Sequence, residues 1–320
     1  MDLSKLIGKK EEAAEEYTPT MTKEEYAAMK KEQREELWAG INAKAQEVFS
    51  DGPSIQSFLD FTARCAPQRT ANLFLLYGQN PEITQVKTFD KWKEAGRSIK
   101  GGQSGYTFLV SENYERDDGS MGQGYNIEKA FDISQTRGRQ PQPIPQRSAD
   151  ELLAAMITES PVRLEISDQL PDGIQAQYVP RSRTVFVRND MEEAATFHAI
   201  SRELAHATFA NGNPSYSRRD FSAQAYCAAY VVGQKYGMDV SAFSFDKVCA
   251  MNQGQEPEAL RLFVADVKSA AYTIEQGINR GLGELEQTAD KDFSVAEQAA
   301  KGPKAKATKS KAKSEQAAVR

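Results

Sequence analysis

Two stretches of this sequence hold residues whose types and spacing could do chemistry. The first is Arg202-Glu203-Leu204-Ala205-His206. On a helix, positions i and i+4 share one face, so two histidines there reach a single metal ion. A glutamate between them polarises a metal-bound water, which is the hydrolytic His-Glu-x-x-His arrangement. Here the first ligand position is Arg202, which is cationic at every accessible pH and cannot ligate. The other histidine, His198, lies eight residues before His206. That is ~12 Å along the axis at ~1.5 Å per residue, too far for one tetrahedral zinc with bonds of ~2.0–2.1 Å. Taken alone, the stretch reads as an amphipathic core helix with a satisfied histidine. Arg202 either pairs with Glu203 or an acid such as Asp220, restoring charge balance without metal, or faces solvent with no role.

The second stretch, residues 87–108, interleaves Lys87, Phe89, Lys91, Trp92, Lys93, Arg97, Lys100, Tyr106 and Phe108, opposed by Asp90 and Glu94. Single-stranded nucleic acid is held by cations along its phosphates and aromatic faces under its bases. Gly101, Gly102 and Gly105 would let backbone amides approach a phosphate closely. By composition alone this is a solvated helix face beside a core tryptophan and a strand.

These residues need elements to position them. Thr22 with Glu25 makes a capping-box start for a helix carrying Tyr26, Met29, Leu37 and Ile41. Ser54 caps a second helix with Ile55, Phe58, Leu59 and Phe61 as its apolar face, and the apolar run Asn72 to Tyr77 continues the helical region until Pro81. Phe89 to Gly96 is a short helix closed by glycine. Tyr106–Val110 and Lys129–Ile133 read as strands joined by a hairpin loop over 115–124 with Asp-Gly at its tip. Residues 137–147 are proline-rich, a linker composition. Beyond it the pattern gives a helix at Ala149–Thr158 opened by Ser148, strands at Ala176–Val179 and Thr184–Val187, and helices at 192–210, 221–236 and 258–278.

The bulk numbers fit ordered cores diluted by polar extensions. The chain has 320 residues, 40% of them hydrophobic, with a mean hydropathy of -0.60. A net charge of -5 makes no whole-chain case for nucleic acid, so DNA binding would need local patches. Cys65, Cys227 and Cys249 form neither a zinc-ligand spacing nor an even disulfide framework, as expected in a reducing cytoplasm. The N-terminus has no apolar signal-like segment, and no apolar run is long enough to span a bilayer. The last twenty residues carry seven basic side chains against one acid, the composition of a disordered basic tail.

Order adds what composition lacks. Arg64, or with a shorter gap Arg69, precedes Asn72-Leu-Phe-Leu-Leu76. Gln79-Asn-Pro81, Phe89-Asp-Lys-Trp92-Lys-Glu-Ala-Gly96-Arg97, Ile99-Lys100-Gly101-Gly102 and Phe131-Asp-Ile-Ser-Gln-Thr136 follow. Over roughly residues 55–138 this series resembles the N-terminal domain of ArdC-type anti-restriction proteins and of LtrC-like proteins of conjugative elements. The resemblance implies single-stranded-DNA binding by Asn72, Trp92, Lys93, Arg97 and Lys100, and the interleaved cations and rings add Lys87 and Tyr106. The family usually has Gly-Glu-Lys where this chain has Gly102-Gln103-Ser104, which removes one lysine. The helix at 192–210, then Ala225-Tyr226-Cys227-Ala228-Ala229-Tyr230-Val231-Val232, Lys235-Tyr236-Gly237 and Phe243-Ser244-Phe245, resemble the family's zincin-like metallopeptidase domain over about residues 150–280. In that pattern the third zinc ligand is a glutamate. Its place is taken by Tyr226, or by Gln224 if the register slips by one alternation.

The expectation is therefore an α+β chain: a small α+β single-stranded-DNA-binding domain followed by a mainly helical zincin-like domain. Its parts are a helical N-terminal extension (1–50), the DNA-binding domain (51–138), a linker (139–148), the degenerate peptidase domain (149–285) and a disordered basic tail (286–320). Glu203 is a vestigial general base, and Arg202, His206 and Tyr226 are vestigial metal positions, with no cofactor expected. The resemblance implies a cytoplasmic protein of a mobile or conjugative element whose partners are single-stranded DNA and proteins of the element or of a host restriction system. Two rival functions stand beside it. One is an active zinc metallopeptidase using Glu203 and His206, and the other a non-enzymatic interaction protein with no preference for single strands.

Overall fold

The computed structural model describes residues 22–65, 69–115, 118–139 and 145–300; for residues 23, 114, 115, 123 and 284–300 it gives the backbone alone. The expected basic tail over 301–320, residues 1–21 of the N-terminal extension and residues 140–144 of the linker lie outside the described residues.

Helix α1 (Lys23–Val48) begins at the expected capping box. Glu25 N–H donates to Thr22 Oγ1 at 3.2 Å, and Thr22 N–H donates back to Glu25 Oε2 at 2.8 Å. Its first half is exposed, but Ile41, Ala45 and Val48 are buried, so the helix is part of the core rather than an extension before it. Helix α2 (Gly52–Arg64) buries Ile55, Phe58, Leu59 and Phe61 as its spacing requires. Its cap is Asp51 and not Ser54: the Ser54 N–H donates to Asp51 Oδ1 at 2.7 Å, and Pro53 occupies the first turn, where its missing N–H costs nothing.

Helix α3 (Thr70–Gln79) packs on a three-stranded antiparallel sheet of order β1 (Val86–Thr88), β4 (Met121–Asp132), β3 (Tyr106–Glu115). Between β1 and β3 lie the one-and-a-half-turn helix α4 (Phe89–Glu94) and β2 (Ser98–Ile99), which pairs with β5 (Thr136–Arg137). The β3–β4 ribbon runs to the pair Glu115 and Met121, well beyond the strand ends at Val110 and Lys129 read from sequence. Its distal residues are mostly polar or glycine, with Met121, Tyr125 and Ile127 as scattered exceptions on β4, so no sustained apolar alternation on both strands marks them.

Helix α5 (Ala149–Thr158) starts at a Ser148–Glu151 capping box. A second sheet has the order β6 (Arg163–Ile166), β8 (Thr184–Val187), β7 (Ala176–Val179), with β6 parallel and β7 antiparallel to β8. Strand β6 is mostly exposed and went unread. Four helices follow: α6 (Glu193–Ala210), α7 (Ser222–Lys235), the short α8 (Asp246–Asn252) and α9 (Pro257–Ala300). Helix α9 passes both its expected end at Ile278 and the expected start of disorder at 286. Residues 284–300 are mostly good helix formers, and the next breaker is Gly302-Pro303. Gly281 brings α9 against α5, where any Cβ would collide with the Ala155 backbone.

The chain is thus α+β, as expected, and a single cluster of buried apolar side chains runs from Ile41 to Ile278 across the linker. Among the described residues no helix is long and apolar enough to cross a membrane.

Candidate functional site

In the first half, the residues of the expected DNA-binding set separate into those that hold the fold and those that face solvent. Asn72 is fully buried, and its amide pairs with the β3 backbone: Nδ2 donates to Leu109 O at 2.9 Å and Leu109 N–H donates to Oδ1 at 2.8 Å. Gln79, two turns on, repeats the device on Thr107, donating to its carbonyl at 3.0 Å and accepting its N–H at 2.7 Å. Trp92 is only 1% exposed and donates from Nε1 to Phe131 O at 2.8 Å. Lys87 Nζ and the Arg97 guanidinium lie 5.1 and 5.7 Å from its ring centre, and its burial leaves no ring face open to stack on a base. Arg97 is buried as well. Its Nε donates to Thr136 Oγ1 at 2.7 Å and its Nη1 to Arg139 O. The expectation is corrected for these three residues: burial and committed hydrogen bonds make Asn72, Trp92 and Arg97 framework.

Lys93 and Lys100 are exposed and Lys87 is half-buried. Lys100 Nζ donates to Ser134 O at 2.6 Å. Tyr106 is half-buried, and its hydroxyl accepts from Asn80 Nδ2 at 2.9 Å. Between α3, α4 and β3 opens a cleft of about 580 Å3 whose walls include Arg69, Lys87, Lys91, Glu94, Phe108 and Ser111. Arg69 is held in place by Ser111 Oγ and Gly124 O, both at 2.9 Å, and these neutral acceptors leave its charge uncompensated. Lys91 is paired with Glu94 at 2.7 Å on the exposed rim. The cleft is therefore a cationic groove with one aromatic side chain, Phe108, in its wall.

In the second half, α6 carries the stretch Arg202–His206. Glu203 is completely buried. Its Oε2 accepts the Tyr178 N–H of edge strand β7 at 2.7 Å, and its two oxygens take Arg218 Nη1 and Nη2 at 2.6 and 2.7 Å. This bidentate pair is the strong form of carboxylate recognition. The expected partner of Arg202 was Glu203 or another acid such as Asp220. Arg202 instead stands 3.6 Å from Glu203 Oε1, beyond hydrogen-bond range. Arg218 lies in the loop after α6, and no spacing in the sequence links it to Glu203.

His206 is buried, with Nδ1 hydrogen-bonded to the Tyr216 hydroxyl at 3.0 Å. Burial pushes its pKa down to about 4, so the imidazole is neutral at pH 7. Burial also pushes the Tyr216 hydroxyl up to about 12. Tyr226, expected to take the third ligand position, is half-buried; its hydroxyl accepts the Ser244 N–H at 2.9 Å. His198 is tied elsewhere, its Nε2–H donating to Asp239 O at 2.8 Å, and its ring fills the space where a Cβ at residue 233 would stand, so Gly233 is required there.

These residues do not fit a catalytic zinc, which needs three protein ligands and an open position. Glu203 is neutralised by a guanidinium, Arg202 is a cation at a ligand position, and His206 has one nitrogen committed. Among the described residues no group of three or more His, Cys, Asp or Glu side chains converges as a metal site would.

Residues 17–140 match the family described as the N-terminal domain of anti-restriction factor ArdC. The match begins well before residue 55 and takes in α1, consistent with the burial of Ile41, Ala45 and Val48. No curated protein matches the chain. Two solved structures of the antirestriction ArdC protein from plasmid R388 are similar to it, one metal-free and one Mn(II)-bound. Each is 14% identical, covering 75% and 74% of this chain and 98% and 97% of theirs, with TM-scores of 0.49 and 0.45. Residues 17–140, less than half of the chain, are thus similar to the N-terminal domain of anti-restriction factor ArdC.

Proposed function

We propose that this is a cytoplasmic single-stranded-DNA-binding protein of a mobile genetic element, acting against host restriction, with a peptidase-like second half that does not catalyse. The observation that carries the binding reading is the groove between α4 and β3. Arg69, Lys87 and Lys91 supply cations for phosphates, and Phe108 supplies a ring for a base, the combination single strands require. Lys93 and Lys100 are exposed on the same segment and extend the positive surface. The family match at residues 17–140 supports the anti-restriction setting.

The test is a titration of the full chain with single-stranded and duplex oligonucleotides at two salt concentrations. Single strands should bind more tightly, and affinity should fall steeply with salt as counterions are released. Lys87→Ala with Lys91→Ala should reduce the salt slope by about one to two, and Phe108→Ala should cost about 1–3 kcal/mol in single-strand affinity. Equal binding of both forms, or a slope unmoved by the double variant, would remove the groove from the site.

The absence of catalysis rests on the Glu203–Arg218 pair, which occupies the general base. Metal analysis of the purified chain should find no stoichiometric zinc. One tightly held zinc per chain would put the metallopeptidase reading first.

A further inference from the structure

Next to the buried Glu203–Arg218 pair is a cavity of about 180 Å3. Arg202, Tyr226, Gln175 and His198, whose Nε2 is committed to Asp239 O, line it, on a wall otherwise built largely of small or apolar residues such as Ala199, Ala229 and Phe243. The local charges do not balance. Arg218 commits two nitrogens to Glu203, at 2.6 and 2.7 Å, and so neutralises it. Arg202 is left over. Its Nε is buried with no hydrogen-bond partner, and the nearest carboxylate oxygen, on Glu203, is 3.6 Å away and already shared. His198, the other titratable side chain of this helix that lines the cavity, is held towards its neutral form by burial and so supplies no negative charge. A partly buried guanidinium with an unfilled donor is costly unless something accepts from it.

We propose that this cavity binds a compact carboxylate carried on a short aliphatic group, with the carboxylate seated on Arg202. A guanidinium and a carboxylate match in planar, bidentate geometry. A single uncommitted guanidinium matches a single negative charge; a phosphate dianion would need a second cation, and Arg218 is not free to provide it. Tyr226 adds a donor: its hydroxyl accepts the Ser244 N–H at 2.9 Å, and burial keeps its own proton in place. The alanine wall limits the organic part to a small group. Arg202 and Tyr226 stand at two of the positions where the zinc motif places ligands. Together they exchange lone pairs offered to a cation for hydrogen-bond donors offered to an anion. This inference is independent of DNA binding, which lies in the other half of the chain.

The arginine Nε–H resonances of the 15N-labelled full chain test it, with Arg202→Lys identifying the Arg202 signal by its loss. Isobutyrate is the probe, isobutyramide its neutral isostere, and sodium chloride at matched ionic strength the screening control. The Arg202 signal should move saturably with isobutyrate in the millimolar range, and with neither control. Isobutyrate should also raise the melting temperature of the wild-type chain, and Arg202→Gln should weaken that effect about tenfold or more. Three results would overturn the proposal: no saturable movement, equal movement with chloride or isobutyramide, or a response to inorganic phosphate without one to isobutyrate. A melting-temperature gain that survives in folded Arg202→Gln would overturn it as well, because the ligand would then sit elsewhere.

Discussion

Truncating Arg218 to alanine strands the Glu203 carboxylate inside the protein with the Tyr178 N–H as its remaining hydrogen-bond donor. Breaking one side of a buried ion pair costs ~3–5 kcal/mol. The Arg218 side chain is partly open to solvent, which places the expected loss at the low end, about 3 kcal/mol. Urea unfolding measures it, and Glu203→Gln in the same background should restore much of the loss by removing the stranded charge. A loss below about 1 kcal/mol would mean that the pair contributes no more than a surface contact. His206 gives the fold a pH dependence of definite sign. Burial lowers its pKa from 6.5 to about 4, so the unfolded chain takes up a proton in that interval and the folded chain does not. Stability therefore falls as pH drops from 6.5 towards 4, by on the order of 3 kcal/mol in total. His198, lowered by burial in the same direction, adds to the slope. His206→Gln should flatten the urea midpoint across this interval, and an unchanged slope would assign the acid sensitivity to other groups.

At the scale of elements, the helices with periodic apolar faces and capping boxes were legible in the sequence. Thr22–Glu25 and Ser148–Glu151 mark true helix starts, and the turn Pro180–Arg183 lies between the strands read on either side of it. Strand β6 was not legible because its alternation spans only four mostly exposed residues, and the outer half of the β3–β4 ribbon because its residues are mostly polar or glycine. The zinc motif could be read as broken, but its replacement could not. Glu203 and Arg218 are fifteen residues apart, and their pairing is set by how the loop after α6 folds back. The series that resembles the ArdC N-terminal domain was legible in a different sense. Asn72, Trp92, Arg97 and Thr136 are among its most distinctive letters, and each is buried and hydrogen-bonded to a neighbouring strand, loop or turn. Such a signature specifies the scaffold. The cations and ring that line the groove, Arg69, Lys87, Lys91 and Phe108, lie between those letters. The two sheets also close an edge by the same means. Asn72 and Gln79 bind the outward backbone of β3, and Glu203 binds that of β7, so neither edge offers all its amides to another chain.

Across the whole molecule, the proline-rich segment near residues 138–148 separates the two sheets but not the core. Helix α2 packs against α7, and the Tyr230 hydroxyl donates to Asp60 at 2.6 Å across that contact. Helix α1 packs along α9, the rings of Phe49 and Phe263 meet edge to face at 5.4 Å, and the Cys249 thiol donates to Phe49 O at 3.4 Å. Parting the halves would expose several large apolar side chains at about 1.5–3 kcal/mol each. Four of them amount to ~6–12 kcal/mol, as much as the whole stability of an ordinary domain, ~5–15 kcal/mol. Neither half should then persist folded once the other has unfolded. Calorimetry of the full chain should show a single transition whose calorimetric and van 't Hoff enthalpies agree. Two resolved transitions would contradict this, as would a fragment ending at residue 148 that melts at the temperature of the full chain. A single transition would also mean that the loss at Glu203 on truncating Arg218, although it arises in the second half, lowers the folded population of the cationic groove in the first.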